Sequence, residues 1–97
     1  MVTDPDAPGG RFVHWTVFGI PPGARSVPPD APSGANSTGK TGWTPPCPPA
    51  GAPHRYVFDL YALARRSGLS AGASADRVIA AVRGAVARGE AVGRFGR

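Results

Sequence analysis

Ten of the twelve prolines lie between residues 21 and 53. A proline has a fixed φ and no backbone N–H, so it is excluded from helix interiors and from the middle of a sheet. The centre of the chain is therefore barred from regular structure, and no periodic pattern within it is long enough for an element. Long irregular segments in small domains are functional or disordered. Secondary structure is left to the flanks. Residues 12–20 are aromatic and β-branched and stop at Pro21-Pro22, which predicts a strand. With a period of two, Phe12, His14, Thr16 and Phe18 share one face and Val13, Trp15 and Val17 the other. Both faces are mostly apolar, so this strand is expected to be central and covered on both sides. Residues 55–63 predict a second strand, with Tyr56, Phe58, Leu60 and Ala62 alternating against Val57, Asp59 and Tyr61. If it starts one residue early, His54 and Tyr56 project together.

After Ser74 the period changes. Val78, Ile79, Val82, Ala85 and Val86 recur at helical spacing, which predicts a helix over about 75–88 with Gly89 as its stop. Ser74 can cap it, Asp76 suits the first turn, and Gly84 weakens it by about 1 kcal/mol relative to alanine. Residues 91–97 are read as a short last strand weakened by glycine. The 97 residues allow one domain, and chains of this size bury only about 60–65% of their unfolded surface. At 41% hydrophobic residues the chain is too apolar for a disordered tail. The fold class expected is mainly β, with an irregular Pro/Gly-rich loop over 21–53 and one C-terminal helix.

The net charge of +5 comes from ten arginines and Lys40. Only Arg65 and Arg66 are adjacent, and no basic helix face or interleaving of arginines with aromatics appears, so nucleic acid is not an expected partner. A lone Cys47 excludes an internal disulfide, and no apolar run is long enough to cross a bilayer. No secretory leader precedes the first motif, and the cytoplasm is the compartment expected.

Gly34-Ala35-Asn36-Ser37-Thr38-Gly39-Lys40-Thr41 matches the phosphate-cradling loop of nucleotide-binding enzymes letter for letter. That chemistry needs a buried strand before the glycines and a helix N-terminus after the lysine. Here prolines 28, 29 and 32 precede the motif, and Pro45 and Pro46 follow it. The reading is a flexible Gly/Ser/Thr loop.

The remaining polar residues fall into two groups. Asp4-Pro5-Asp6-Ala7-Pro8 is followed by His14, and Cys47-Pro48-Pro49 leads into His54-Arg55-Tyr56. Taken singly, each has an ordinary explanation: a turn at Asp4, a satisfied histidine at 14 or 54, a small buried thiol at 47, packing indoles at Trp15 and Trp43. Taken together, two imidazoles and a phenol supply donors for an oxyanion, and Asp4 can fix a histidine tautomer or favour its charged form. No pair of His, Cys or Asp has the close spacing of a zinc site. A hydrolase with a histidine general base oriented by Asp4 is the alternative, but Ser26, Ser33, Ser37 and Thr38 lie in no nucleophile elbow. The reading is a binding protein and not an enzyme, with no cofactor.

This order and spacing resemble the phosphatidylethanolamine-binding protein family, and its bacterial Raf-kinase-inhibitor-like branch in particular. The residues that carry the resemblance are Asp4-Pro5-Asp6-Ala7-Pro8, His14-Trp15, Gly42-Trp43, Pro46-Cys47-Pro48-Pro49 and His54-Arg55-Tyr56, running into Leu60-Tyr61-Ala62-Leu63. It implies an antiparallel β-sandwich with a small anion pocket lined by Asp4, His14, the backbone at Cys47 and Pro48, His54 and Tyr56. It also implies phospholipid headgroups or similar phosphate-like ligands, regulation of kinases or proteases through binding, and a cis bond at Asp4–Pro5 or in the proline-rich rim. Trp43 and Pro45 depart from the more usual Tyr and Gly.

Members of that family carry several strands ahead of the Asp-Pro-Asp motif, whereas this chain begins at Met1-Val2-Thr3. Residues 1–97 are therefore expected to be the C-terminal portion of one such domain, from a misplaced start or a fragment. A sandwich without those strands exposes an edge and an apolar face, which predicts dimerisation, poor solubility or an inactive remnant.

Overall fold

The computed structural model describes residues 1–96. Strands β1 (Val2–Asp4), β2 (Phe12–Trp15), β3 (His54–Ala62) and β4 (Ala87–Phe95) form one antiparallel sheet in the order β2-β1-β3-β4, and α1 (Ala75–Val82) lies between β3 and β4 in sequence. The second predicted strand begins at His54, so His54 and Tyr56 do share a face, and both are buried.

β2 is shorter than residues 12–20 and lies at the sheet's edge, not its centre. The proline-rich segment occupies its outer side. Val13 N–H donates to Ser37 Oγ (2.7 Å), and Ser37 N–H donates back to the Val13 carbonyl (2.9 Å). Thr44 N–H donates to the His14 carbonyl, Gly34 N–H to that of Thr16, and Phe18 N–H to that of Pro32. Prolines cannot complete a ladder, so the edge is satisfied by scattered bonds from residues between them. Val17 and Ser33 form only an isolated bridge.

The helix also stops early. Ser74 caps it by accepting the Arg77 N–H, but it ends at Val82, with Arg83 as C-cap. Glycine at 84 weakens continuation; Ala85 N–H still donates to the Val82 carbonyl (3.1 Å), and Val86 N–H is then recruited by the sheet, donating to the Ala62 carbonyl (2.9 Å). β4 thus starts at Ala87 and takes in Gly89, which the periodicity assigns to a helix stop. Of the strand expected over 91–97, Arg97 lies outside the described residues. Val78 is the buried anchor of α1, packed with Phe18 and Ala73 and flanked by Leu69 and Met1.

The nucleotide-loop motif forms a tight hydrogen-bonded hairpin rather than a flexible loop. Ala35 bridges Thr41, Asn36 N–H donates to the Lys40 carbonyl, and Gly39 closes the turn at φ +87°. No helix starts at Lys40, and the next one in the chain is α1, which begins at Ala75. The first glycine of the motif serves packing: a Cβ on Gly34 would meet Thr16 Oγ1 and come within 2.6 Å of the Ala73 carbonyl oxygen. Gly34→Ala is expected to lower stability by about 1–3 kcal/mol, as overpacking does. Urea unfolding of the two proteins side by side measures it; an unchanged midpoint would contradict this packing.

Candidate functional site

β1 ends in a carboxylate that is 3% exposed and satisfied on both oxygens. Asp4 Oδ1 accepts the N–H of Asp6 (2.8 Å), which closes the turn around Pro5, and Oδ2 accepts from His54 Nδ1 (2.7 Å). The register Val2↔Phe58 and Thr3↔Val57 carries Asp4 to the start of β3, where His54 and Tyr56 stand. On the other flank Asp4 pairs with Phe12, which brings His14 to the same face. The His14 ring packs against Phe12 (centroids 4.7 Å apart) and edge-on to Tyr56 (5.4 Å), with Trp43 at 6.2 Å. Four of the predicted site residues, Asp4, His14, His54 and Tyr56, therefore meet at one end of the sheet.

Hydrogen bonding sets both imidazoles. His14 Nδ1 lies 2.8 Å from the Thr44 carbonyl, which can only accept, so Nδ1 carries the proton. His54 Nδ1 faces the Asp4 carboxylate in the same way. Each ring keeps Nε2 without a partner among the described residues. A neutral ring offers an acceptor there, and a protonated one offers a donor. Asp4 orients His54, whereas a backbone carbonyl orients His14.

Tyr56 is 5% exposed, and its hydroxyl is buried with no hydrogen-bond partner among the described residues. Burial, and after it the charges of Asp4 and Cys47, pushes the phenol above its ordinary value, so it remains a neutral donor. Pro48 is buried, but Cys47 is exposed, contrary to its reading as a small buried thiol. Residues 43–49 form no regular element, yet their burial alternates with a period of two. Cys47 falls on the outward parity with Trp43 and Pro45, while Thr44, Pro46 and Pro48 turn inward. The Asp4–Pro5 bond is trans, as is every peptide bond among the described residues, so the expected cis bond is absent. The Asp6 N–H to Asp4 bond closes the turn with a trans proline.

One element escaped the sequence reading. Asp6 accepts from the Arg55 backbone N–H (2.9 Å), Nε (3.0 Å) and Nη2 (2.8 Å), clamping the turn onto β3 beside the imidazole. The signal was available: Asp6 is two residues from Asp4, and Arg55 is the neighbour of His54. Trp15 stacks edge-on with Trp43 (6.0 Å) and donates from Nε1 to Ser33 Oγ, which is a packing role. Two open concavities lie by α1 and residues 63–70, and neither includes a residue of this cluster. Among the described residues no three His, Cys, Asp or Glu side chains gather closely enough to hold a metal ion.

The chain matches the phosphatidylethanolamine-binding protein family over residues 1–96. It belongs to that family. A UPF0098 protein of Methanothermobacter thermautotrophicus is 41% identical over 93 residues, 86% of this chain and 61% of that protein. A UPF0098 protein of Mycobacterium tuberculosis is 48% identical over 88 residues, 82% of this chain and 44% of that protein. The chain thus spans roughly half the length of these curated relatives. Among solved structures, a phosphatidylethanolamine-binding protein homolog from Chlamydia trachomatis matches 99% of this chain and 69% of its own, with a TM-score of 0.87 and 31% identity. YbcL of Escherichia coli, described as a member of the mammalian family, matches 99% of this chain and 68% of its own, at 0.85 and 29% identity. The mainly β, antiparallel architecture is that of the family. Among the described residues no helix is long and apolar enough to cross a membrane.

Pairing with Arg55 holds the Asp6 carboxyl well below the usual carboxylate range. A carboxyl lowered in the folded state contributes stability above its unfolded value and loses it as pH falls. Asp6→Asn is therefore expected to flatten the decline in melting temperature between about pH 5 and about pH 2. A decline as steep as in the parent protein would show that the clamp contributes nothing to folding.

Proposed function

We propose that the chain binds a small phosphate-like anion, of the kind a phospholipid headgroup presents, at the cluster of Asp4, His14, His54 and Tyr56. The observation that carries the proposal is the Tyr56 hydroxyl: a buried phenol without a partner costs stability unless something supplies an acceptor. The two imidazoles share its face, and an oxyanion would accept from the phenol and from each Nε2 that carries a proton. We assign Cys47, whose charge acts on the Tyr56 phenol, and its neighbour Pro48 to the rim. Family membership supports ligand binding in general, and the choice of a phosphate-like ligand rests on this donor set.

Binding without turnover is the reading for this site. Asp4 and His54 have the relation of an orienter to a base, but the nucleophile is wanting: Ser33 Oγ is held by the Trp15 indole and Ser37 Oγ by the Val13 N–H. Any effect on kinases or proteases would follow from the bound state.

The test is a titration with inorganic phosphate and with phosphorylethanolamine, following the His14 and His54 imidazole signals by NMR. Both are expected to shift, and phosphorylethanolamine is expected to be recovered unchanged. Tyr56→Phe should bind about 10–100-fold more weakly, as loss of a hydrogen bond to a charged group predicts, while the unliganded protein unfolds no sooner than the parent. Imidazole signals that stay fixed in both titrations would reject the site in this chain. Shifts that survive Tyr56→Phe at full affinity would reject the role given to the phenol.

We propose the cytoplasm as the compartment, with the cell envelope as the alternative raised by the name of a Mycobacterium tuberculosis relative, lipoprotein LppC. Fractionation of cells producing the protein is expected to find it in the cytosol, and recovery with membranes would overturn that.

A further inference from the structure

Strand β4 is anomalous in its charges. All nine of its residues are exposed, and among the described residues its only neighbour in the sheet is β3. The opposite edge, at β2, is covered by the proline-rich segment, whereas β4 leaves a nine-residue margin open. Across the β3–β4 ladder Glu90 stands opposite Asp59, and Arg94 stands opposite Arg55. Like charges directly opposite one another destabilise a strand pair. At Glu90 the repulsion is relieved within the chain, because Arg88 donates to both Asp59 Oδ1 (2.8 Å) and Glu90 Oε2 (2.9 Å). At Arg94 it is not: Arg55 is taken by Asp6, and Arg94 has no hydrogen bond or ion pair among the described residues. Val92, midway between Glu90 and Arg94, is 50% exposed, and Phe95 is 51% exposed.

We infer that β4 is a self-pairing edge whose occupant is β4 of a second copy of this chain, antiparallel about a two-fold axis through Val92. In that register residues whose numbers are symmetric about 92 stand opposite each other. Glu90 of each copy then faces Arg94 of the other, so the unmatched Arg94 gains an opposite charge and Glu90, held on one side by Arg88, gains a second partner. Val92 meets Val92 on the same face. On the other face Ala91 meets Gly93, and Phe95 lies over Gly89, which has no side chain to obstruct it. Neighbouring registers lose this match. Centring on Ala91 sets Arg88 against Arg94, and centring on Gly93 leaves Glu90 opposite Gly96. Centring on Gly89 pairs Glu90 only with Arg88, which Asp59 and the Tyr61 ring already hold, and shortens the overlap to residues 87–91. Long, exposed edge strands template such pairing, and cross-strand charges set its register. An edge contact of this kind belongs with small, weak interfaces, so the dimer should dissociate on dilution.

The inference is independent of the anion site, and its test is sedimentation equilibrium of the 97-residue chain over a range of concentrations. A reversible monomer–dimer equilibrium is expected, loosened by added salt, with amide exchange at residues 89–95 slowing as concentration rises. Arg94→Glu alone and Glu90→Arg alone each turn two attractive pairs into two repulsive ones and should raise the dissociation constant about tenfold or more. The double variant restores the pairs in reverse and should return to within about threefold of the parent. A monomer at every concentration overturns the proposal. So do single variants that dimerise as the parent does, or a double variant no tighter than the singles. If a single variant does not fold, judged by circular dichroism, the exchange pattern of the parent protein decides: exchange at 89–95 independent of concentration overturns the pairing.

Discussion

The architecture hangs on one buried carboxylate. Asp4 is removed from water at the end of a three-residue strand, where an unpaired charge would cost several kcal/mol. Its oxygens are satisfied from two directions, by the Asp6 amide that closes the turn after β1 and by the His54 imidazole at the start of β3. Two segments separated by fifty positions are thereby joined, and the orientation of His54 follows from the bond that satisfies Asp4. The Asp6–Arg55 clamp repeats the link two residues beyond Asp4 and one beyond His54. The same contacts that hold the turn to the sheet place the imidazole beside Tyr56.

The second structural theme is the use of a chain that cannot form a strand to cover a strand edge. Residues 21–53 are too rich in proline for a ladder, yet Ser37, Thr44, Gly34 and the Pro32 carbonyl meet the outer backbone groups of β2 and its continuation. The reciprocal bonds between Thr44 and His14 show the economy of this: one holds the edge, the other orients the ring. Part of the irregular segment is thus tied directly to the site.

Much of this was legible before the structure. Alternation located β3 and paired His54 with Tyr56, because a half-buried strand leaves a strong period-two signal. The grouping of Asp4, His14, His54 and Tyr56 was readable from motif order. What could not be read was which backbone groups the sheet would claim. The stripe through Val86 is good helical spacing, but the carbonyl of Ala62 competes for its amide and the helix yields at Val82. β2 is apolar enough for a central strand, yet its neighbour on one side is a segment with no pattern. Cys47 among prolines reads as a small buried thiol, while it falls on the exposed parity of residues 43–49. Such outcomes depend on partners distant in sequence, which local pattern does not register.

The coverage of β2 has one more consequence, for growth. A sheet open on both sides can add copies without end, and exposed, flat strands commonly lead to fibres. Here proline bars one margin to any incoming backbone, so hydrogen-bonded addition has a single direction. In the proposed pairing, two molecules joined along β4 present only proline-covered margins among the described residues, and the residues that keep the centre of the chain irregular would stop further addition.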